Sequence, residues 1–111
     1  MNQLLKVAQR YRRKLAAFPT PETLKPAIMT ALSQASGQRP ELKAVKDVSN
    51  ISVQNTIDYV HVAFVLDVDK NAYDEAGMAA RKAYVKPYLE KVLPGYFGHA
   101  NLKIDYSEYP V

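Results

Sequence analysis

The sequence predicts an α+β domain at residues 19–111, an α-β-β-α-β sandwich, with an extra amphipathic basic helix attached at residues 1–18. Three observations predict it. Apolar spacing is helical up to Gly37, switches to the two-residue period of strands from Leu42 to Val68, turns helical again to Val92, and alternates once more from Leu102. Proline and glycine punctuate the joints, in Phe18-Pro19-Thr20-Pro21, at Gly37, in Arg39-Pro40 and in Pro94-Gly95. Charge is segregated: the first 21 residues hold five basic side chains and no acid, whereas the remainder holds ten basic against eleven acidic residues. The formal net charge of +4 therefore resides in the opening segment. A block of one sign at one end marks a surface for phosphate, anionic lipid or an acidic partner.

Taking the elements in order, residues 2–17 form a helix in which Leu4, Leu5, Ala8, Tyr11 and Leu15 fall within roughly 120° of arc at 100° per residue. Lys6, Arg10, Arg13 and Lys14 cluster on the opposite side. The two prolines at 19 and 21 stop this helix, because the residue before a proline is pushed out of the α region. Thr20 then caps a second helix with Pro21 at its first position and Glu22 in its first turn. Its inward stripe is Ile28, Ala31, Leu32 and Ala35, and Gly37 ends it. The first strand alternates Leu42, Ala44, Lys46 and Val48, then shifts phase to Ile51 and Val53 across Ser49-Asn50, which marks a bulge. Gln54-Asn55-Thr56 is the expected hairpin turn.

Residues 58–68 form the strongest strand, with Val60, Val62, Phe64, Leu66 and Val68 on one face. Ala63 and Val65 make the other face too apolar for full exposure, so another subunit or the opening helix is expected to cover part of it, and Tyr59, Ala63 and Val65 are the expected dimer interface. Asp69 or Asn71 is expected to cap a third helix running to Val92, with Asp74 and Glu75 in its first turn, Lys86 and Lys91 near its end, and Gly77 and Pro87 as weak points. Leu102, Ile104 and Tyr106 alternate with Lys103, Asp105 and Ser107 in the last strand.

Composition excludes several classes of function. At 111 residues and 48% hydrophobic the chain fits one domain, which buries roughly two thirds of its unfolded surface. The absence of cysteine excludes disulfides, thiolate metal sites and cysteine nucleophiles, and accords with a cytoplasmic location. No apolar run approaches the roughly 18 residues of a membrane span. Residues 1–18 are too interrupted by charge for a secretory signal and too poor in serine for a mitochondrial presequence.

Five stretches carry a family resemblance: Ala44-Val45-Lys46-Asp47-Val48; Asp58-Tyr59-Val60 through Val68-Asp69; Asp74-Glu75-Ala76; Leu93-Pro94-Gly95; and Leu102-Lys103-Ile104-Asp105. In this order and spacing, residues 21–110 resemble the cytoplasmic C-terminal domain of cation diffusion facilitator transporters, a small ferredoxin-like or metallochaperone-like module. Such domains commonly dimerise and use histidines for a divalent metal. The resemblance places those histidines at Lys46, Val65, Gly77 and Asp105, so the usual ligand set is absent and no metal site is expected. An ammonium in place of an imidazole opposes a dication.

Other constellations resolve to structural roles. Asp67, Asp69 and Asn71 match the first three ligand positions of a calcium-binding loop, but Ala72 stands at the glycine position and Met78 at the bidentate acid. Capping and a solvated turn are the expectation there. His61 and His99 have no partner at metal or triad spacing and are expected to be hydrogen-bonded structural residues. The eight tyrosines fit core edges and subunit contacts equally.

No catalytic or cofactor-binding signature is found. The expected function is a non-enzymatic dimerisation or regulatory module resembling a cation-transporter cytoplasmic domain. Its expected partners are a second copy and, through Lys6, Arg10, Arg13 and Lys14, a membrane transporter or membrane surface. The alternative is a small nucleic-acid-associated or phage-type structural protein that uses the same four cations on phosphates. No helix-turn-helix, zinc module or RNA-stacking motif accompanies them.

Overall fold

Two helices cover one face of a three-stranded sheet in the computed structural model, which describes residues 19–111. The predicted opening helix, with Lys6, Arg10, Arg13 and Lys14, lies outside the described residues. Helix α1 is Pro21–Ala35. Thr20 caps it in a reciprocal box with Thr23, whose hydroxyl accepts from the Thr20 amide at 2.9 Å. Pro26 is accommodated inside the helix. The buried stripe is Leu24, Ala27, Ile28, Ala31, Leu32 and Ala35, wider by two residues than the spacing predicts.

Strand β1 is Val45–Asn55, β2 is Val60–Val68 and β3 is Leu102–Pro110; β2 is central, antiparallel to β1 and parallel to β3. The phase shift in β1 is a bulge between Ser49 and Ser52, where Asn50 adopts φ +50, a left-handed conformation that asparagine tolerates. Three sequence expectations in this region are corrected. Leu42 does not start the strand: with Pro40 at the first position, Pro40–Ala44 winds into a 3-10 turn that buries Leu42. A second irregularity between Val45 and Asp47 leaves Lys46 exposed instead of inward. Gln54 and Asn55 remain in the ladder, paired with His61 and Val60, and the hairpin turns at residues 56–59. There Thr56 donates to the Tyr59 carbonyl through both its amide and its hydroxyl.

Helix α2 is Glu75–Val92, and Pro87 lies within it. Asp69 does not cap it. It caps a separate 3-10 turn, Lys70–Ala72, by accepting from the Asn71 amide at 3.0 Å, and α2 starts afresh with Asp74 accepting from the Gly77 amide at 2.6 Å. Asp74→Ala is therefore expected to cost about 1 kcal/mol and to lower the melting temperature by about 4–8 °C in calorimetry, whereas Asp69→Ala leaves the helix intact.

The core holds Leu24, Ile28, Val48, Val62, Leu66, Val85, Leu89 and Ile104, from both helices and all three strands. Across its rim Tyr88 donates to the Ala31 carbonyl at 3.0 Å and stacks on Tyr84, which in turn lies under Arg39. Phe64 stacks on Tyr106 at 5.6 Å. These tyrosines are edges of the core.

Candidate functional surface

Because strand side chains alternate faces, covering one side of the sheet with helices leaves the other uncovered among the described residues. The open face presents Asp47, Ser49, Ser52 and Gln54 from β1, His61, Ala63, Val65 and Asp67 from β2, and Lys103, Asp105, Ser107 and Tyr109 from β3. Ala63 and Val65 occupy its centre and are half-buried. Tyr59 sits at the hairpin end, 36% exposed, beside the fully exposed Ile57. Of the three expected interface residues, Ala63 and Val65 lie inside the ladder on this face and Tyr59 lies in the hairpin just before it.

Charge on this face is graded along the strands. Lys103 is in register with His61 at one end, and Asp67 with Tyr109 at the other. Asp67 accepts from the Ser49 hydroxyl at 3.1 Å, and neither Asp67 nor Lys103 makes an ion pair among the described residues. Asp47, close to Asp67, pairs with Lys25 at 3.4 Å. Its carboxyl is held below the usual range, chiefly by the Val48 amide and then by Lys25.

Between the two ends, His61 Nε2 lies 2.7 Å from Asp105 Oδ2. An ionised carboxylate only accepts, so Nε2 carries the proton. This contact lowers the Asp105 pKa, with Lys86 at 3.4 Å adding to it. Removing the ring by His61→Ala should raise the Asp105 titration midpoint, measurable by carboxyl NMR. A depressed carboxyl pKa contributes stability above the ordinary carboxylate range that is lost as pH falls through the lowered value. The variant should accordingly show a shallower acid limb in its stability profile.

The metal-ligand positions implied by the resemblance are dispersed. Val65 and Asp105 lie on the open face, Lys46 is an exposed bulge residue 3.7 Å from Asp69, and Gly77 lies in α2 against Arg81. No three histidine, cysteine, aspartate or glutamate side chains among the described residues group as a cation site. His99 occupies the tight turn after Pro94, with φ +63 and its amide donating to the Pro94 carbonyl at 2.7 Å.

Sequence spacing did not reveal the pairing of His61 with Asp105, 44 residues apart. Nor did it reveal the buried pair of Arg81 and Glu108, joined at 2.7 and 2.9 Å. The first depends on the parallel register of β2 and β3, the second on how α2 packs against β3. Alternation at Tyr106 and Glu108 was the available signal, since it sets Glu108 on the inward face. No helix among the described residues is long and apolar enough to cross a membrane. Comparison of the chain with protein-family models, curated proteins and solved structures finds no match.

Proposed function

We propose that this chain is a non-enzymatic dimerisation and regulatory module that pairs with a second copy of itself through the open face of its sheet. The graded charge of that face carries the proposal. Lys103 and Asp67 stand at opposite ends without ion-pair partners among the described residues, and the apolar centre at Ala63 and Val65 lies between them. A two-fold axis lying across the strands sets the two copies antiparallel, so that each Lys103 approaches Asp67 of the partner subunit. Isologous pairing makes every such contact twice.

Magnitude limits the affinity. Three strands of about nine residues present a flat footprint of roughly 400 Å², about half of what each partner contributes to a standard interface. The dimer is accordingly weak and reversible. Sedimentation velocity should show mass rising towards twice the monomer as concentration approaches about 100 μM at low salt. A monomer throughout that range would overturn the proposal.

The order α-β-β-α-β, with one antiparallel and one parallel pairing, supports a ferredoxin-like or metallochaperone-like arrangement and, with it, a role like that of a cation-transporter cytoplasmic domain. The histidine-free positions Lys46, Val65, Gly77 and Asp105 make that role metal-independent. A cytoplasmic location follows the same reading. The basic residues Lys6, Arg10, Arg13 and Lys14 then face the transporter or membrane surface. They also favour a second reading, contact with nucleic acid. A mobility shift with mixed oligonucleotides at about 50 mM salt, where phosphate contacts are strongest, separates the two: the transporter-like role expects no shift.

A further inference from the structure

Strand β3 forms an edge of the sheet, and α2 caps part of that edge. The Ile104 amide donates to Glu90 at 3.0 Å, and Lys86 donates to the Ile104 carbonyl at 2.5 Å. Backbone groups alternate sides along a strand, so those of Tyr106 also point away from β2. Beside Tyr106 the edge is not capped in this way, and a cleft of about 430 Å³ opens between α2 and β3. That volume suits a small-molecule site.

The cleft is lined by Tyr73, Met78, Lys82, Tyr106, Ser107 and Glu108, together with Lys86 and Asp105 at the capped end. Most of its polar groups are already engaged. Both Glu108 oxygens accept from Arg81. Asp105 meets His61 and Lys86, and Lys86 also meets Glu90. The Tyr73 hydroxyl donates to Met78 Sδ at 3.6 Å. Two groups remain. The Lys82 ammonium has no ion pair among the described residues, and the Tyr106 hydroxyl is buried with no hydrogen-bond partner among them. Burial, then the charge of Glu108, pushes the Tyr106 pKa up to about 12, so at neutral pH this hydroxyl is a proton donor.

An unmatched cation and an unmatched O–H donor call for the same complement, an anionic acceptor. A buried donor without a partner otherwise costs about 1–3 kcal/mol, and such a group calls for an explanation. The walls of Tyr73, Met78 and Tyr106 supply ring and thioether surface, which favours an aromatic body over a bare inorganic anion. We propose that the cleft between α2 and β3 binds a small aromatic carboxylate, its ring against Tyr73 and Met78 and its carboxylate received by Lys82 and the Tyr106 hydroxyl. This site lies at the β3 edge and does not depend on self-association.

Titration of the full chain with 3-phenylpropionate, followed by amide NMR, tests the proposal. Saturable shifts are expected at Met78, Lys82, Tyr106 and Ser107, with a dissociation constant in the millimolar range or tighter for so small a ligand. The uncharged 3-phenylpropionamide should bind at least about tenfold more weakly. Lys82→Ala and Tyr106→Phe should each weaken the acid about fivefold or more. Tyr106→Phe should melt no lower than wild type, because it removes an unpaired hydroxyl and retains the ring stacked on Phe64. A site that is merely structural would not couple preserved stability to lost binding. The proposal is overturned by the absence of saturable shifts at about 10 mM ligand, by equal binding of acid and amide, or by wild-type affinity in both variants.

Discussion

Arg81→Ala is expected to destabilise the fold by about 3–5 kcal/mol, the cost of leaving one half of a buried ion pair behind. The Arg81 side chain is 1% exposed and that of Glu108 is 4% exposed. Arg81 Nε and Nη2 donate to the two Glu108 oxygens at 2.7 and 2.9 Å, and Nη1 donates to the Glu41 carbonyl at 3.2 Å. One guanidinium thus ties α2 to β3 and to the 3-10 turn before β1. Its planar fork matches the carboxylate bidentately, and the contact to Glu108 raises the Arg81 pKa further. Deleting the cation strands a buried carboxylate, which then protonates or draws in water.

In calorimetry the melting temperature should fall by more than about 12 °C, at about 4 °C or more per kcal/mol for a domain of this size. The deficit should narrow as pH falls through the carboxylate range, because protonation neutralises the stranded acid. Arg81→Met with Glu108→Leu should recover most of the loss, since apolar replacement of both partners removes the desolvation cost together with the attraction. A single variant that melts like wild type would show that the pair contributes nothing. Gly77 belongs to the same arrangement. A Cβ there would meet Asp74 Oδ1 at 3.0 Å and Arg81 Nη1 at 3.2 Å, so a larger side chain pushes on both the helix cap and the guanidinium.

Local chemistry was legible in the sequence wherever neighbours in the chain decide the structure. Thr20 and Pro21 start α1, the Ser49-Asn50 phase shift becomes a bulge, and the alternation from Val60 to Val68 becomes the central strand. Leu42 was misassigned because period-two spacing over a few residues also fits a 3-10 turn, and Pro40 at its first position decides for the turn. Asp69 and Asp74 are both competent caps five residues apart. The short turn Lys70–Ala72 consumes the first and leaves α2 to the second. Arg81 was concealed by its type: the buried stripe of α2 is Arg81, Val85 and Leu89, in which a charged residue occupies a core position that only its distant partner makes tolerable. The open face was foreseeable from Ala63 and Val65. The charge gradient across it required the register that sets Lys103 beside His61 and Asp67 beside Tyr109.

Reversing that gradient gives the second large effect. Lys103→Glu is expected to weaken self-association by about tenfold or more, because an exposed attractive pair of about 0.2–1 kcal/mol turns repulsive and does so twice in a two-fold dimer. Lys103 and Asp67 are the appropriate pair because neither makes an ion pair among the described residues, unlike Asp105 with His61 and Asp47 with Lys25. Lys103→Asp combined with Asp67→Lys should restore wild-type association, since it inverts the gradient without removing its complementarity. Val65→Arg places an unpaired cation at the apolar centre and should leave only monomer in sedimentation while the far-ultraviolet spectrum stays native. Raising salt from about 50 to 500 mM should weaken the wild-type dimer and have little effect on Lys103→Glu, whose favourable pairs are already gone. If Lys103→Glu and the double reversal both associate as wild type does, the copies meet through a surface other than this face.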